Sequence, residues 1–189
     1  MFSFQQKQYL LSLARRALTH YLTTGQVLKI ESNEVPAELK EIRACFVTLT
    51  IQGNLRGCIG HILPIQRLYQ DVIENAISAA FQDSRFPPLT QSELPKTKIE
   101  ISILSLPKPL IFNSPSDLLS KLAPNQDGVI LKLGFNQATF LPQVWEELPQ
   151  KEEFLSHLCL KAGLGPICWK EPDIKIDIYQ VEAFEEERA

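Results

Sequence analysis

Two kinds of apolar spacing alternate along this chain, and their order limits the folds that it can adopt. Apolar residues recur every three or four positions in residues 4–22, 64–82 and 152–162, which predicts amphipathic helices. Residues 98–104 and 174–181 alternate between apolar and polar, which predicts strands. Because hairpins and helices follow one another without a regular strand–helix–strand repeat, we expect an α+β fold with a mixed or antiparallel sheet and packed helices.

Two hairpins are predicted from turn residues between strand-like segments. Residues 44–51 are rich in apolar and β-branched side chains, and residues 55–62 return after the turn dipeptide Gly53-Asn54. The second hairpin comprises residues 128–133 and 137–141 on either side of Gly134. The first hairpin matters more for function, because it contains an arginine and a cysteine close together.

Local residue types predict where several elements begin and end. Gly25 follows the first helix and is a typical terminator. Ser114 or Ser116 can cap a short helix at residues 117–122. The last predicted strand is followed by an acidic tail at residues 185–187.

Length and composition favour one folding unit. At 189 residues and 44% hydrophobic content, the chain can bury a sizeable core, either as one large domain or as two closely packed lobes. No repeat or low-complexity linker separates two autonomous parts. We therefore predict a single domain over residues 1–189, with the proline-rich residues 106–115 as the junction between lobes. No G-x-G-x-x-G or P-loop pattern supports a doubly wound parallel sheet.

Charge and hydropathy limit the partners of the chain. The formal net charge is -3, and the basic residues are scattered, so no stripe of positive charge favours nucleic-acid binding. No apolar segment reaches the roughly 18 residues of a membrane span. Lys7, Arg15 and Arg16 interrupt the N-terminal apolar pattern, which therefore does not resemble a secretory signal. We expect no membrane partner and a cytoplasmic location.

Cysteine and histidine spacing predicts no metal site. The four cysteines are Cys45, Cys58, Cys159 and Cys168. They include no C-x-x-C pair, so neither a zinc site nor a disulfide framework is indicated, and reduced thiols are the simplest expectation. His20 and His157 lie in predicted helices without a second ligand at metal spacing.

A hexapeptide at residues 55–60, LRGCIG, is the signature of a known family, and further blocks match it in order. These are NAISAAFQDSRFPPLT at residues 75–90, KIEISIL at 98–104, DGVIL at 127–131, ATFLPQVWEELP at 138–149 and FLSHLCLKAGL at 154–164. Each block alone is weak, but their shared order makes accidental similarity improbable. On these blocks the chain resembles the AMMECR-type domain family, the A component of the AmmeMemoRadiSam system.

The resemblance implies a compact two-lobe α+β fold with a cleft lined by the LRGCIG hairpin. It also implies Memo-type, dioxygenase-like proteins and radical S-adenosylmethionine (SAM) enzymes as partners in the same system. It implies no established reaction. Neither the resemblance nor the residue patterns specify a cofactor or an oligomeric state.

Cys58 is the candidate reactive group. If residues 55–62 form a regular strand, Arg56 and Cys58 share a face, and a guanidinium near a thiol favours the thiolate that a nucleophile requires. Gly57 and Gly60 leave room for a ligand to approach the backbone. The alternative is that Cys58 packs as a small apolar side chain, that the glycines only permit close packing, and that Arg56 bridges a buried carboxylate.

Three charged residues extend this candidate site. Glu100 lies on the polar face of its predicted strand and meets Arg56 if that strand lies near the hairpin, which makes it a third catalytic candidate. Asp83 and Arg85 lie in a loop before two prolines and are candidates for ligand binding. A local ion pair or a helix cap explains the same two residues without a ligand.

Three further residues complete the ligand-binding candidates. Strand alternation points the His61 ring away from Cys58, so a Cys-His dyad requires a bulge that resets the register. Gln143 and Trp145 combine an amide with an indole, which suits the wall of a site for a small polar ligand, although core packing is the commoner role of tryptophan.

Two functions compete on this sequence. In the first, Arg56 and Cys58 bind a small molecule or a peptide end in a cleft and do chemistry on it. In the second, the chain is a non-enzymatic module that docks a Memo-type or radical SAM partner, and LRGCIG is needed only for folding. Nucleic-acid binding is a third class, which the charge pattern disfavours.

Overall fold

The computed structural model describes residues 1–187, which form two compact units. The first unit comprises Met1–Leu104 and the C-terminal residues from Glu182, and the second comprises Ser105–Val181. Each unit contains one four-stranded sheet and its own hydrophobic core. The strand pairs whose register is described are antiparallel, and the predicted α+β class is confirmed.

The described part of the chain contains helices, strands and short 3-10 turns. The helices are α1 (Phe4–Thr24), α2 (Leu68–Phe81), α3 (Pro115–Lys121), α4 (Val144–Glu147) and α5 (Lys151–Lys161). The strands are β1 (Cys45–Ile51), β2 (Asn54–Gly60), β3 (Thr97–Leu104), β4 (Lys108–Pro109), β5 (Gly128–Leu133), β6 (Asn136–Phe140), β7 (Lys175–Tyr179) and β8 (Val181–Glu185). The 3-10 turns are Ser32–Glu34, Ala37–Lys40, Leu94–Lys96 and Cys168–Lys170.

The first helix follows its sequence signals closely. Ser3 and Gln6 form a reciprocal capping box at the start of α1, and Gly25 ends the helix with a φ of 70°. The predicted terminator is therefore confirmed. The buried residues of α1 lie on one face of the helix and join the core of the first unit.

The second helix begins later than its apolar pattern predicts. We expected Pro64 in the first turn, but α2 starts at Leu68, and Ile65 is 64% exposed. The reason is that the backbone before Leu68 pairs with another segment, since Ile42 and Arg67 form an antiparallel bridge. The predicted end near Gln82 is confirmed, because Gln82 is the C-cap.

The sheet of the first unit has the strand order β2-β1-β3-β8. The hairpin between β1 and β2 turns at Gln52 and Gly53, both with positive φ, so the turn lies one residue earlier than the predicted Gly53-Asn54. One face of β1 and β3 joins the core with α1 and α2. The opposite face carries Phe46, Thr48 and Thr50 of β1.

The sheet of the second unit has the order β4-β7-β5-β6. The predicted hairpin around Gly134 is confirmed by β5 and β6, and Ser114 is the cap of α3, as one of the two predicted alternatives. The core contains a stacked pair, Trp145 and Phe154, with ring centroids 3.6 Å apart. The two-residue strand β4 lies in the proline-rich stretch and was not predicted.

The strand predicted at residues 174–181 is two strands in different sheets. The strands β7 and β8 are separated by Gln180, whose backbone N–H donates to Ser105 Oγ. In the acidic tail after it, Glu186 pairs with Arg15 and accepts the backbone N–H of Ile99. Strict alternation cannot reveal such a change of sheet, since both strands satisfy it.

Two of the four cysteines form a disulfide, contrary to the expectation of reduced thiols. Cys159 in α5 and Cys168 are joined, with their Cα atoms 5.8 Å apart. The bond ties α5 to the 3-10 turn that begins at Cys168 within the second unit. Cys45 and Cys58 are free. No helix within residues 1–187 has the length and apolar character required to cross a bilayer.

Replacing Gly57 by alanine tests how closely β2 packs on α2. A Cβ at position 57 would lie 2.0 Å from the carbonyl oxygen of Ala79, which is backbone and cannot rotate away. We expect Gly57→Ala to lower the free energy of unfolding by about 1–3 kcal/mol, the usual cost of overpacking. Urea denaturation measures it.

Gly165→Ala is the matched control for that change. A Cβ at position 165 meets nothing within 4 Å, and this glycine has no positive φ. Its free energy of unfolding should stay within about 0.5 kcal/mol of wild type. Equal stabilities of the two variants would contradict the close packing of β2 on α2.

Candidate functional site

The LRGCIG hairpin is interrupted by a β-bulge at Arg56. Leu49 pairs with Gly57 and Thr50 pairs with Leu55, so Arg56 has no partner in β1. A bulge breaks the two-residue alternation of a strand. The predicted shared face of Arg56 and Cys58 rested on a regular strand, and that premise is wrong.

The Arg56 guanidinium is buried against a carboxylate. Its Nε donates to Glu93 Oε1 at 2.9 Å and its Nη2 donates to Glu93 Oε2 at 3.2 Å, while the residue is only 8% exposed. The predicted pairing with Glu100 is therefore wrong, because β1 lies between β2 and β3 and the guanidinium is bonded by Glu93 instead. Arg56, followed by the Thr90 N–H, lowers the pKa of Glu93 to about 2.

Cys58 lies on the sheet face opposite the helices, in a row that crosses three strands. Thr48 is its partner in β1, and Glu100 is the partner of Thr48 in β3. The Thr48 hydroxyl donates to Cys58 Sγ at 3.3 Å, and Cys58 is half-buried. Because adjacent strands are about 4.8 Å apart, Glu100 and Cys58 are separated by about 10 Å along this row.

Asp83 and Arg85 hold the outer backbone edge of Cys58. The Asp83 carboxylate accepts the Cys58 N–H at 2.9 Å, and Arg85 Nη2 donates to the Cys58 carbonyl at 3.3 Å. The two side chains also bond each other, with Arg85 Nη2 2.7 Å from Asp83 Oδ2. This is the predicted local ion pair, and it also brings both residues to Cys58. We name these three residues the β2 clasp.

The electrostatics of the β2 clasp follow from this geometry. Asp83 is 6% exposed, yet its pKa lies well below its ordinary range, first because of the Arg85 hydrogen bonds and then because of the Cys58 and Arg85 backbone N–H groups. Asp83 raises the pKa of Arg85, and Cys58 adds a smaller contribution in the same direction. The Arg85 side chain remains 55% exposed.

The two glycines of the motif face protein atoms. A Cβ at Gly57 would meet the Ala79 backbone, and a Cβ at Gly60 would lie 2.4 Å from the Phe46 ring. Close packing therefore accounts for both positions, which is one of the two interpretations that the sequence leaves open. The site near Cys58 is bounded by Thr48 and the clasp rather than by these glycines.

The His61 ring turns toward α2, as strand alternation predicts. Its Nδ1 lies 2.6 Å from Asp71 Oδ1, and Asp71 is fully buried. The Cys58 side chain lies on the other face of the sheet. The structure therefore gives His61 an aspartate partner in α2 rather than a cysteine partner in β2.

Gln143 and Trp145 belong to the second unit. Trp145 is 1% exposed, and its indole N–H donates to the Asp127 carbonyl at 2.7 Å. Together with the stacking on Phe154, this gives Trp145 the core role that is common for tryptophan. Gln143 is exposed and precedes the first turn of α4.

Two open grooves lie elsewhere in the described residues. One in the first unit has a volume of about 690 Å³ and is bordered by Tyr21, Tyr69 and Gln70, among others. The second unit has one of about 590 Å³ beside Lys132. None of the predicted site residues lines either groove. No group of three metal-ligating side chains comes together within residues 1–187.

Sequence reasoning missed Thr48, Glu93 and Asp71. Glu93 stands three residues after Thr90 and accepts its backbone N–H at 2.8 Å, which matches the capping signature [ST]-x-x-E. Asp71 is an acidic residue on the apolar face of α2, a pattern that signals a buried polar contact. Thr48 carries no such signal, because its role depends on the strand register.

Replacing Glu93 by glutamine tests the ion pair that holds Arg56. Because the folded pKa of about 2 lies below the ordinary value of roughly 4.3, the ionised carboxylate stabilises the fold above pH ~4.3. That contribution is lost as the pH falls toward 2. We expect Glu93→Gln to lower the free energy of unfolding by about 2 kcal/mol at pH 7, with a difference from wild type that shrinks at acidic pH.

Glu41→Gln is the control, because Glu41 is 57% exposed in its pair with Arg43. Its effect should stay below about 1 kcal/mol, as for surface pairs. Chemical denaturation between pH 3 and pH 7 measures both variants. A loss for Glu93→Gln that does not change with pH would contradict the stated role of its charge.

Relatives of the chain are found in archaea. It is 42% identical to Methanopyrus kandleri protein MK0488 over 193 residues, covering 98% of this chain and 90% of the relative. A Thermococcus gammatolerans protein is 41% identical over 190 residues, covering 95% and 90%. The crystal structure of the uncharacterized protein PH0010 from Pyrococcus horikoshii matches with a TM-score of 0.84 at 38% identity, covering 98% of this chain and 94% of that one.

A family model also matches most of the chain. The AMMECR1 model matches residues 11–184, which include the β2 clasp and every strand except the last residue of β8. The chain belongs to the AMMECR1 family.

Proposed function

We propose that the chain binds a small acidic ligand at the β2 clasp and that the Cys58 thiol is the reactive group there. One observation carries the proposal: a half-buried thiol accepts a hydrogen bond from Thr48, and the carbonyl of the same residue accepts one from a half-exposed guanidinium. Arg85 therefore takes the part that the sequence assigned to Arg56. The guanidinium that contacts Cys58 is that of Arg85, and Arg56 is bonded by Glu93 instead.

The thiol has the environment of a reactive cysteine. Its sulfur accepts the Thr48 hydroxyl, and the carbonyl of the same residue accepts from the Arg85 guanidinium. Cys45 offers a contrast, since burial and then the charge of Asp71 raise its pKa well above the ordinary value. Of the two free cysteines, Cys58 is the one that a ligand can reach.

Arg85 supplies the recognition of an acidic group. Its Nε and Nη2 atoms are engaged by Asp83 and the Cys58 carbonyl, which fixes the plane of the guanidinium. These bonds use the Nε and Nη2 hydrogens, so the two N–H groups of Nη1 remain to donate to a carboxylate oxygen of a ligand. An acidic ligand with an electrophilic carbon would place that carbon within reach of the sulfur.

The wider context of the proposal comes from the family resemblance. We propose that the protein acts as the A component of an AmmeMemoRadiSam system, in the cytoplasm, with Memo-type and radical SAM proteins as partners. The single-domain organisation over residues 1–189 is part of the same proposal. Glu100 stays a candidate on the same sheet row as Cys58, in contact with Ser102 at 3.4 Å.

Alkylation by a charged and a neutral reagent tests the site. We expect iodoacetate to gain more than iodoacetamide from Arg85, so Arg85→Gln should lower the iodoacetate-to-iodoacetamide rate ratio at Cys58 about threefold to fivefold. This corresponds to roughly 0.6–1 kcal/mol between unit charges a few ångströms apart in water. Mass spectrometry of the Cys58 peptide measures both rates, and Cys58→Ser gives the background.

Arg43→Gln is the matched control for that experiment. Arg43 pairs with Glu41, two residues away, as Arg85 pairs with Asp83, but it does not contact Cys58. Its rate ratio should equal that of wild type. A Cys58 that reacts as slowly as the buried Cys45 with either reagent would end the proposal.

A non-enzymatic docking module is the second candidate. It is favoured by the structural use of the motif, since Arg56 is engaged by Glu93 and both glycines face protein atoms. In that case Arg56→Ala should lower the free energy of unfolding. Cys58→Ala should change the free energy of unfolding by less than about 1 kcal/mol and should leave the affinity for a purified Memo-type partner unchanged. Calorimetric titration measures the affinity. A Cys58→Ala protein that keeps its stability but no longer binds a small ligand would favour the reactive site instead.

A further inference from the structure

Helix α2 carries two buried polar residues on its apolar face, and both lie next to His61. Asp71 is 0% exposed and Asn75 is 1% exposed. Burying a carboxylate in a core is costly unless its oxygens are bonded. Here both oxygens are fully engaged, and one of their partners reaches solvent.

The two oxygens of the Asp71 carboxylate have different partners. Oδ2 accepts the Cys45 N–H at 2.8 Å and the Asn75 side-chain amide at 3.0 Å, which satisfies the start of β1. Oδ1 lies 2.6 Å from His61 Nδ1 and accepts from Gln66 Nε2 at 3.0 Å. The backbone of β1 needs only Oδ2, so the contact with His61 is not explained by strand capping.

This contact fixes the state of the imidazole. An ionised carboxylate only accepts hydrogen bonds, so the 2.6 Å contact with Asp71 places the proton on His61 Nδ1, and the Asn75 amide, 3.4 Å from the same nitrogen, does not donate to it. In the neutral ring, Nε2 then holds the lone pair. Nε2 has no protein partner within residues 1–187 and is not among the unpaired polar atoms sealed from solvent. The side chain is 30% exposed.

Asn75 provides an independent observation at the same place. Its Nδ2 faces two acceptors, the Cys45 carbonyl at 3.1 Å and Asp71 Oδ2 at 3.0 Å, which fixes the orientation of the amide. The same Nδ2 lies 3.4 Å from His61 Nδ1, a longer contact than the 2.6 Å from that nitrogen to Asp71. Its Oδ1 is therefore a buried acceptor without a partner in the described protein. Leaving such an atom unpaired costs about 1–3 kcal/mol, a cost that packing alone does not explain.

We propose that His61 forms a second reactive site, separate from the β2 clasp, in which Nε2 accepts a proton from a water molecule or from a ligand hydroxyl. Asp71 is the positioning residue, since it holds the ring and stabilises the imidazolium that forms. A carboxylate–histidine pair also orients a metal ligand, but a metal needs further donors, and residues 1–187 bring no such group together. Proton transfer to a protic oxygen needs only this pair.

Hydrolysis of p-nitrophenyl acetate tests the base in a Cys58→Ser background, which removes the thiol proposed as the reactive group of the β2 clasp. Water gives its proton to Nε2 while its oxygen bonds to the acetyl carbon, and the bond to p-nitrophenolate breaks with its electron pair. The proton then passes from Nε2 to solvent. We expect His61→Gln to lower the rate at pH 7 about tenfold, less than the usual general-base factor because the probe is not held.

His20→Gln is the matched control, because His20 is half-buried on α1 and has no side-chain partner among the described residues. Its rate should equal that of the background protein. Asp71→Asn should lower the rate, and ¹⁵N NMR of the imidazole should show that the proton leaves Nδ1 for a mixture of both nitrogens. A merely structural aspartate would not change that spectrum.

The wild-type spectrum keeps the proposal testable even if a variant fails to fold. It should show His61 protonated at Nδ1 with a lone pair on Nε2. A proton on Nε2 in the neutral ring, or a folded His61→Gln protein that hydrolyses the ester as fast as its parent, would overturn the proposal. Neither result depends on the reactivity of Cys58, so the two sites are tested separately.

Discussion

The outer edge of β2 is bonded by charged side chains instead of by another strand. The Asp83 carboxylate accepts a hydrogen bond from the Cys58 N–H, and Arg85 donates one to the Cys58 carbonyl. An exposed edge with unpaired groups tends to recruit other chains. Here the loop after α2 covers that edge, and the Glu93 ion pair with Arg56 fastens the same loop a few residues later. Because these bonds fix the backbone of Cys58, they also fix the position of its thiol.

The LRGCIG motif therefore combines structural and chemical roles. Gly57 allows β2 to approach α2, Gly60 accommodates the Phe46 ring, and Arg56 holds the loop through Glu93. These roles explain most of the hexapeptide without a ligand. Cys58 is different, because its side chain accepts from Thr48 on the face away from the core and contributes no core packing. A structural account of the motif thus leaves its cysteine as the residue that needs a functional explanation.

Sequence patterns predict the elements of this fold well and their partners poorly. The helix ending at Gly25 and the hairpin around Gly134 follow from local periodicity and turn chemistry, which need no knowledge of the rest of the chain. The bulge at Arg56 depends on how Leu49 pairs with Gly57, and the residue that meets Arg56 lies 37 positions away. Residues 174–181 alternate in a way that suits either sheet, and the Cys159–Cys168 bond depends on where a 3-10 turn follows α5. Long-range contacts decide each of these features.

Amide hydrogen exchange at Cys58 measures the clasp most directly. An edge-strand N–H that faces solvent exchanges rapidly, whereas one bonded by a buried carboxylate is protected. The account predicts a protected Cys58 amide in the wild type and loss of that protection in Asp83→Ala, while the amides between β1 and β3 stay protected. A Cys58 amide that exchanges at the same rate in both proteins would contradict it.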